Sequence, residues 1–262
     1  MLTFNLSTTD KKLSSQPCQI MPAQRKYMSD SVINTYKTIN NENILIHTSY
    51  VTKVFTNNAL SSLSKVQYNL KNYVKLAKKI GTKFVLIHGP NSKEEYYNFA
   101  KGLQIIKQIF KDSNIIPCIE IPSFTKSLLE CIEESNLTQL DFIIKYFDFV
   151  LKHLNCEIVI DTAHLHANGL NGKEMATLIK KYSDHYSFIH LNGNIKNKFI
   201  ADVHTPIDSK DDKLTYTSDI IESIPKNKYI ISESPCGNWD YWVNLSQKYN
   251  LKLVEFNENY NY

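Results

Sequence analysis

The chain has 262 residues, a length that one α/β barrel reaches without a second unit, so we expect a single domain over residues 1–262. With 42% hydrophobic and 21% charged residues, the composition is that of a globular protein, which excludes disorder over most of the length. The net charge of +4 favours a polyanionic partner only slightly, because a modest lysine excess is also common on solvated surfaces.

The five cysteines are scattered and odd in number, which is typical of reduced thiols and not of a disulfide framework. The first residues lack the charged start and apolar stretch of a signal peptide, and no apolar run approaches the roughly 18 residues that span a bilayer. We therefore expect a soluble intracellular protein, in the cytoplasm or nucleus, that has no membrane partner and is a monomer.

Eight short apolar runs are predicted to be β-strands, and helical patterns occur between them. The runs, in chain order, are TFNLS from Thr3, CQIMP from Cys18, NILIH ending at His47, KFVLIH ending at His88, IPCIE ending at Glu120, CEIVID ending at Asp161, SFIHL around His190 and KYIISE ending at Glu233. Repeated βα units predict a parallel sheet, and eight strands are the number that closes a barrel. The predicted fold is α/β, a single (β/α)8 TIM barrel with its active site at the C-terminal mouth.

Two of the intervening segments show clear helix signals. Val66, Leu70 and Val74 recur at four-residue spacing, and this pattern predicts a helix that stops at Gly81. Ser92 begins a capping-box pattern that predicts a helix across the following apolar positions as far as Phe110. Residues 194–214 form the longest region without strong periodicity, and a loop of that length is often part of a site.

Potential metal ligands stand at the predicted strand ends. They are His47, His88, Glu120, Asp161, His190 and Glu233, and His164, Asp202 and His204 follow in the loops after the sixth and seventh strands. Alone, each would more often be a rim histidine or an ion-pair partner. In a barrel, however, strand ends converge on one mouth, and four carboxylates there would raise each other's pKa unless cations separated them. We therefore predict a metal centre.

The donor set indicates the metal. Five histidines with four carboxylates suit zinc better than magnesium, which prefers oxygen ligands. At about four ligands per ion, nine ligands imply two or three ions. The histidines at 153 and 185 fall outside this set, and we predict that both lie at the surface.

With these residues in place, the chain resembles the endonuclease IV family of apurinic/apyrimidinic endonucleases. The matching stretches are IHTSY from His47, the strand-end His88 and Glu120, IDTAH with a following glycine, HLN at His190, D-x-H at Asp202 and ESP at Glu233. The resemblance implies three Zn²⁺ ions per chain. It assigns the first to His47 and His88, with Glu120 bridging it to a second ion that Asp161, His190 and Glu233 complete. His164, Asp202 and His204 are implied ligands of the third.

The resemblance also implies an activity and a partner. The implied partner is double-stranded DNA that contains an abasic site. The implied reaction is hydrolysis of the phosphodiester 5′ to that site by a metal-activated hydroxide, which Glu120 helps to position, leaving a 3′ hydroxyl. An extruded nucleotide leaves a gap that side chains fill, and the resemblance implies an Arg and a Tyr for this role in the loops after the second and third strands. Arg25 and Tyr50 match these positions, and Val51 is a candidate neighbouring wedge.

Two other functions remain open. A sugar isomerase or epimerase on a related barrel would use only the quartet Glu120, Asp161, His190 and Glu233 to hold a single divalent ion. A barrel that binds damaged DNA without cutting it is a further alternative, because the sequence IPSFTK after Glu120 departs from the family pattern. The five ligands beyond the quartet favour the endonuclease.

Overall fold

The architecture is a closed barrel of eight parallel strands. The computed structural model describes residues 2–6 (as backbone), 18–23, 26–38, 40–56, 63–195, 203–234 and 239–253. In chain order the barrel strands are β1 (Leu2–Leu6), β2 (Cys18–Ile20), β3 (Ile44–His47), β4 (Phe84–His88), β5 (Ile116–Glu120), β6 (Glu157–Asp161), β7 (Phe188–His190) and β10 (Tyr229–Ser232). Each pairs with its neighbours along the chain, and β10 closes the ring against β1. The predicted α/β TIM barrel is confirmed, and each predicted strand overlaps an observed one.

Helices surround the strands. Their bounds are α1 (Asp30–Thr35), α2 (Leu63–Ile80), α3 (Lys93–Tyr97), α4 (Phe99–Phe110), α5 (Lys126–Glu134), α6 (Gln139–His153), α7 (Thr162–Ala167), α8 (Gly172–Lys181), α9 (Thr217–Ser223) and α10 (Trp239–Lys248). As predicted, α2 ends where Gly81 adopts a left-handed backbone with φ of 85°. The helix predicted from Ser92 to Phe110 is instead two helices, because the backbone leaves the helical region at Asn98, with φ −94° and ψ 5°.

Buried apolar side chains form two separate clusters. The larger cluster packs between the strands and the surrounding helices, with Trp242, Tyr73 and Phe147 among its largest fully buried members. The smaller cluster takes one residue from each of six strands and fills the barrel interior. Its members are Leu45, Leu86, Cys118, Val159, Phe188 and Ile231. The polar residues at the mouth of the barrel lie directly above this inner cluster.

A short antiparallel hairpin extends the chain beyond β7. It consists of β8 (Gly193–Asn194) and β9 (His204–Thr205), with Asn194 paired to His204. Asp212 fixes the following loop because its carboxylate accepts backbone hydrogen bonds from Asn194, Asp208 and Leu214. A Cβ atom at Gly193 would lie 2.7 Å from both Asp212 Oδ1 and Thr205 Oγ1, so this close approach requires glycine. The hairpin thereby brings His204 back to the mouth.

Within the part of the chain that the structure describes, no helix has the length and apolar character needed to cross a membrane.

Candidate metal centre

The positions of the strand-end residues follow from the alternation of side chains along a β-strand. Residues two apart on a strand face the same side, so the residue two positions after an inward-facing core residue also faces the barrel axis. Each member of the inner apolar cluster is followed at that spacing by a potential ligand. The resulting six are His47, His88, Glu120, Asp161, His190 and Glu233. The alternation of side chains that forms the inner apolar cluster therefore also places these polar groups together above it.

The first group joins β3, β4 and β5. Ligand atoms of His47, His88 and Glu120 all lie within 4.8 Å of one another. Glu120 Oε2 is 3.1 Å from His88 Nε2 and 3.8 Å from His47 Nε2. This oxygen is buried, and none of the described residues gives it a well-directed hydrogen bond. A buried carboxylate oxygen between two imidazole nitrogens is a favourable arrangement for a shared cation.

The second group contains the four residues Glu120, Asp161, His190 and Glu233, which again offer ligand atoms within 4.8 Å of one another. His190 is at its centre, with Nδ1 2.8 Å from Glu120 Oε1, 3.3 Å from Glu233 Oε2 and 3.5 Å from Asp161 Oδ2. The carboxylates of Glu120 and Asp161 are inaccessible to solvent. Three carboxylates around one imidazole nitrogen leave several lone pairs facing each other, so a proton or a metal cation must lie between them.

The third group depends on the short helix that follows β6. Asp161 caps α7, and its Oδ1 accepts hydrogen bonds from the backbone N–H groups of Ala163 at 2.7 Å and His164 at 3.0 Å. Its other oxygen, Oδ2, is left to face the mouth, 3.7 Å from His204 Nε2. Asp161, His164 and His204 together form a group with ligand atoms within 4.8 Å. The sequence IDTAH thus ends a strand, starts a helix and offers two ligands in one turn.

Hydrogen bonds to the outer nitrogens fix the orientation of two imidazoles. His47 Nδ1 lies 2.7 Å from the carbonyl oxygen of Thr48, and His164 Nδ1 lies 2.8 Å from the carbonyl oxygen of Ile121. A carbonyl can only accept, so each Nδ1 carries the proton and each Nε2 presents a lone pair. This second bond from the far side of the ring is the usual support of a metal-binding histidine.

Two buried amides that were not predicted from the sequence support the second group. The Oε1 atom of Gln19 lies 2.8 Å from His190 Nε2, and the Nε2 atom of Gln19 donates to Glu233 Oε1 at 2.5 Å. Asn192 Nδ2 donates to Asp161 Oδ2 at 2.9 Å, and Asn192 Oδ1 accepts from the backbone N–H of Glu233 at 2.8 Å. Gln19 could have been identified as a polar residue inside the apolar run CQIM, and Asn192 as the last residue of the HLN stretch.

The electrostatics combine burial with charge pairing. Burial raises the pKa of Glu120, but the imidazoles of His190 and His88 outweigh it and hold that pKa well below the ordinary value. Burial disfavours protonation of His190, but Glu233 and Glu120 raise its pKa well above the usual range. Burial, assisted by His88, lowers the pKa of His47 to about 4. The expected mutual rise in carboxylate pKa values is therefore reversed at Glu120 by the imidazoles between the acids.

A cavity of about 330 Å³ opens beside the ligands, lined by the loops after β3, β4 and β5. Tyr50 is 55% exposed at its rim, and its ring stacks on His88 with centroids 5.4 Å apart and planes 20° apart. Val51 follows it and is half-buried. Lys53 also lines the cavity. The candidate residues Arg25 and Asp202 lie outside the described residues.

Other potential ligands are placed apart from the three groups. His153 and His185 are exposed, as predicted. His166 is half-buried and joins none of the groups formed by the described residues. The described cysteines, at positions 18, 118, 131 and 156, are free thiols, which agrees with the expectation of no disulfide framework for this part of the chain.

The family can be identified from the barrel and its sequence pattern. Residues 23–251 match the xylose isomerase-like TIM barrel family. The chain belongs to this family. No curated protein sequence matches this xylose isomerase-like barrel significantly.

Solved structures with the same fold have different activities. Endonuclease IV from Thermus thermophilus superposes with a TM-score of 0.66 at 14% identity, over 95% of this chain and 98% of that one. A D-tagatose 3-epimerase-like protein superposes with a TM-score of 0.61 at 16% identity, over 94% of this chain and 96% of that one. IOLI protein with a bound zinc atom gives 0.53 at 12% identity, over 95% and 96%. At sequence identities this low, the structural likeness establishes only the fold of this xylose isomerase-like barrel. Its reaction has to be inferred from the residues of the site.

Proposed function

We propose that the protein is a zinc-dependent DNA repair endonuclease that hydrolyses the phosphodiester 5′ to an abasic site in double-stranded DNA and leaves a 3′ hydroxyl. One observation carries the proposal: the mouth contains three ligand groups and not only the quartet. The quartet suffices for a single-ion sugar epimerase, and it is compatible with the epimerase-like structural neighbour. An epimerase has no use for His47, His88, His164 and His204 as further ligands, whereas phosphodiester hydrolysis benefits from several cations.

The donor chemistry fits zinc. Imidazole nitrogens and carboxylate oxygens are ordinary zinc ligands, and mixed sets of this kind disfavour magnesium. Glu120 turns Oε2 to the first group and Oε1 to the second, and Asp161 belongs to both the second and the third. We infer that the three groups would hold three ions, since Glu120 and Asp161 each contribute to two of the groups. Bound together, the ions would supply Lewis acidity that activates water and neutralises the charge of the reacting phosphate.

Side chains around the mouth have separate tasks in this proposal. Tyr50 is exposed and held against His88, so its ring can stack in the gap that an extruded abasic nucleotide leaves in the duplex. Val51 and Arg25 are the proposed neighbours of Tyr50 in this contact. Lys53 lines the cavity and offers a positive charge to a backbone phosphate. Cations bound by the three ligand groups would neutralise the charge of the reacting phosphate, while these residues orient the DNA.

The test uses a fluorescent duplex with one tetrahydrofuran abasic analogue and the zinc-loaded full chain. We expect a single cut on the 5′ side of the analogue, no cut in an undamaged duplex, and no cut by His47→Gln. His185→Gln, which changes an exposed histidine, is the matched control and should cut normally. Binding of the abasic duplex without cleavage would support the non-cleaving alternative, and epimerisation of a ketose without cleavage would support the epimerase.

A further inference from the structure

We infer that Gln19 is a positioning residue that selects the tautomer of His190 and the rotamer of Glu233, and so tightens the second group for its cation without touching that cation. This inference rests on the metal centre of the proposed function. Gln19 lies on β2, which contributes none of the ligands, and its side chain is inaccessible to solvent. It pairs in register with Leu45, a member of the inner cluster, which places it on the inward face of the barrel.

The hydrogen-bond chemistry allows one arrangement of these three side chains. A glutamine amide has one acceptor oxygen and one donor nitrogen, and a carboxylate that is ionised can only accept. The amide nitrogen of Gln19 therefore donates to Glu233 Oε1, at 2.5 Å, and its oxygen is left to His190 Nε2, at 2.8 Å. His190 Nε2 must then be the donor. Its proton is held on the far side of the ring from the carboxylates.

Two ligand atoms are directed into the second group as a result. With the proton on Nε2, the Nδ1 atom of His190 keeps its lone pair when a cation is bound, and this is the atom that faces the three carboxylates. With Oε1 of Glu233 held by the amide, Oε2 is the atom 3.3 Å from His190 Nδ1. A single amide therefore orients two of the four ligands. Backbone carbonyls orient His47 and His164 in the same way, and no side-chain substitution can remove those carbonyls.

This arrangement makes Gln19 selective among the groups. Its two side-chain hydrogen bonds go to His190 and Glu233, and both of these ligands belong to the quartet and to neither of the other groups. Loss of the amide should therefore weaken the cation of the second group and leave the cations of the first and third groups bound. Supporting residues of this kind typically change metal affinity by about 10 to 100-fold.

Two variants separate the two hydrogen bonds. Gln19→Leu keeps the approximate volume and removes both. Gln19→Glu keeps an acceptor for His190 Nε2 and replaces the donor to Glu233 with a second carboxylate. Cys18→Ala is the control, because Cys18 is an equally buried residue of the same strand whose side chain packs in the outer cluster. Circular dichroism establishes that each variant is folded before binding is measured.

The experiment records cadmium NMR spectra of the full chain, and nitrogen NMR spectra of the same chain with labelled histidines. For Gln19→Leu and Gln19→Glu we expect one cadmium resonance to shift and the corresponding affinity to fall about 10 to 100-fold, while the other resonances stay in place. In the cadmium-loaded native protein and in Gln19→Glu, the Nε2 proton of His190 should be hydrogen-bonded and exchange slowly with solvent, whereas in Gln19→Leu it loses its acceptor and should exchange faster. Cys18→Ala should match the native protein throughout.

The outcomes distinguish this inference from the proposed function. Native affinity at the quartet in both Gln19 variants, or an equal loss of affinity at all groups, would overturn the role of Gln19 even if the native protein binds three ions and cuts DNA. Conversely, a native protein that binds one cadmium ion at the quartet contradicts the three-ion proposal, and a selective loss at that ion in the Gln19 variants would still support the positioning role.

Discussion

Replacing Asn192 with alanine tests how the mouth of the barrel is held together. Asn192 connects the end of β6 to the residue after β10, because its Nδ2 donates to Asp161 Oδ2 and its Oδ1 accepts from the backbone N–H of Glu233. Asn192→Ala leaves both partners without this bond in a buried site. A lost bond to a charged group costs about 1.5–3 kcal/mol and an unsatisfied buried donor about 1–3 kcal/mol, so we expect unfolding free energy to fall by about 3–5 kcal/mol.

The assay for this prediction is urea denaturation of metal-free protein at neutral pH. Asn34→Ala is the control, since Asn34 is exposed on α1 and its loss should change stability by no more than about 0.5 kcal/mol. Because Asn192 also orients Asp161, the deficit of Asn192→Ala should grow when zinc is added, since a ligand that binds the native state more weakly stabilises it less. A deficit below about 1 kcal/mol, unchanged by zinc, would refute this account of Asn192.

Three further predictions concern single side chains. Tyr50→Ala should weaken binding of an abasic duplex by about 1–3 kcal/mol in a fluorescence anisotropy titration without changing zinc content, and equal losses of both would contradict a stacking role. Gly193→Ala should displace the hairpin that carries His204, so that zinc analysis finds one ion fewer than in the native protein; full zinc content would show that the hairpin tolerates the added Cβ. In metal-free protein, an NMR titration should give His47 a pKa of about 4, below its ordinary 6.5. The folded state binds this proton less readily than the unfolded state. The free energy of unfolding should therefore fall by about 3 kcal/mol as the pH falls from 6.5 towards 4. A measured pKa near 6.5 would contradict the burial of His47.

The barrel was predictable from the sequence because its strands are short buried runs that end in polar residues. Parallel strands covered on both faces need nearly continuous apolar sequence, and the change to His47, His88 or Glu120 marks where each run meets the mouth. The two-residue alternation along each strand then predicts that these polar side chains face the barrel axis. The same local reasoning failed at Asn98, because the apolar spacing continues across it although the backbone does not.

The supporting contacts of the site were not predictable, because they join residues that are far apart in sequence. The two hydrogen bonds of Gln19 span 171 and 214 positions, and no local pattern encodes such a pairing. Asp161 was assigned to one ion by resemblance, yet the structure also places it with His164 and His204. Its second membership follows from the helix cap, which occupies Oδ1 and leaves Oδ2 to face the mouth.

The most direct test of the metal centre is elemental analysis of the purified full chain after saturation with zinc and removal of free metal. A three-ion centre predicts three zinc ions per chain, and two per chain for His47→Gln, which removes a ligand from the first group only. A single ion in both proteins would contradict it, since the quartet alone would then be the site.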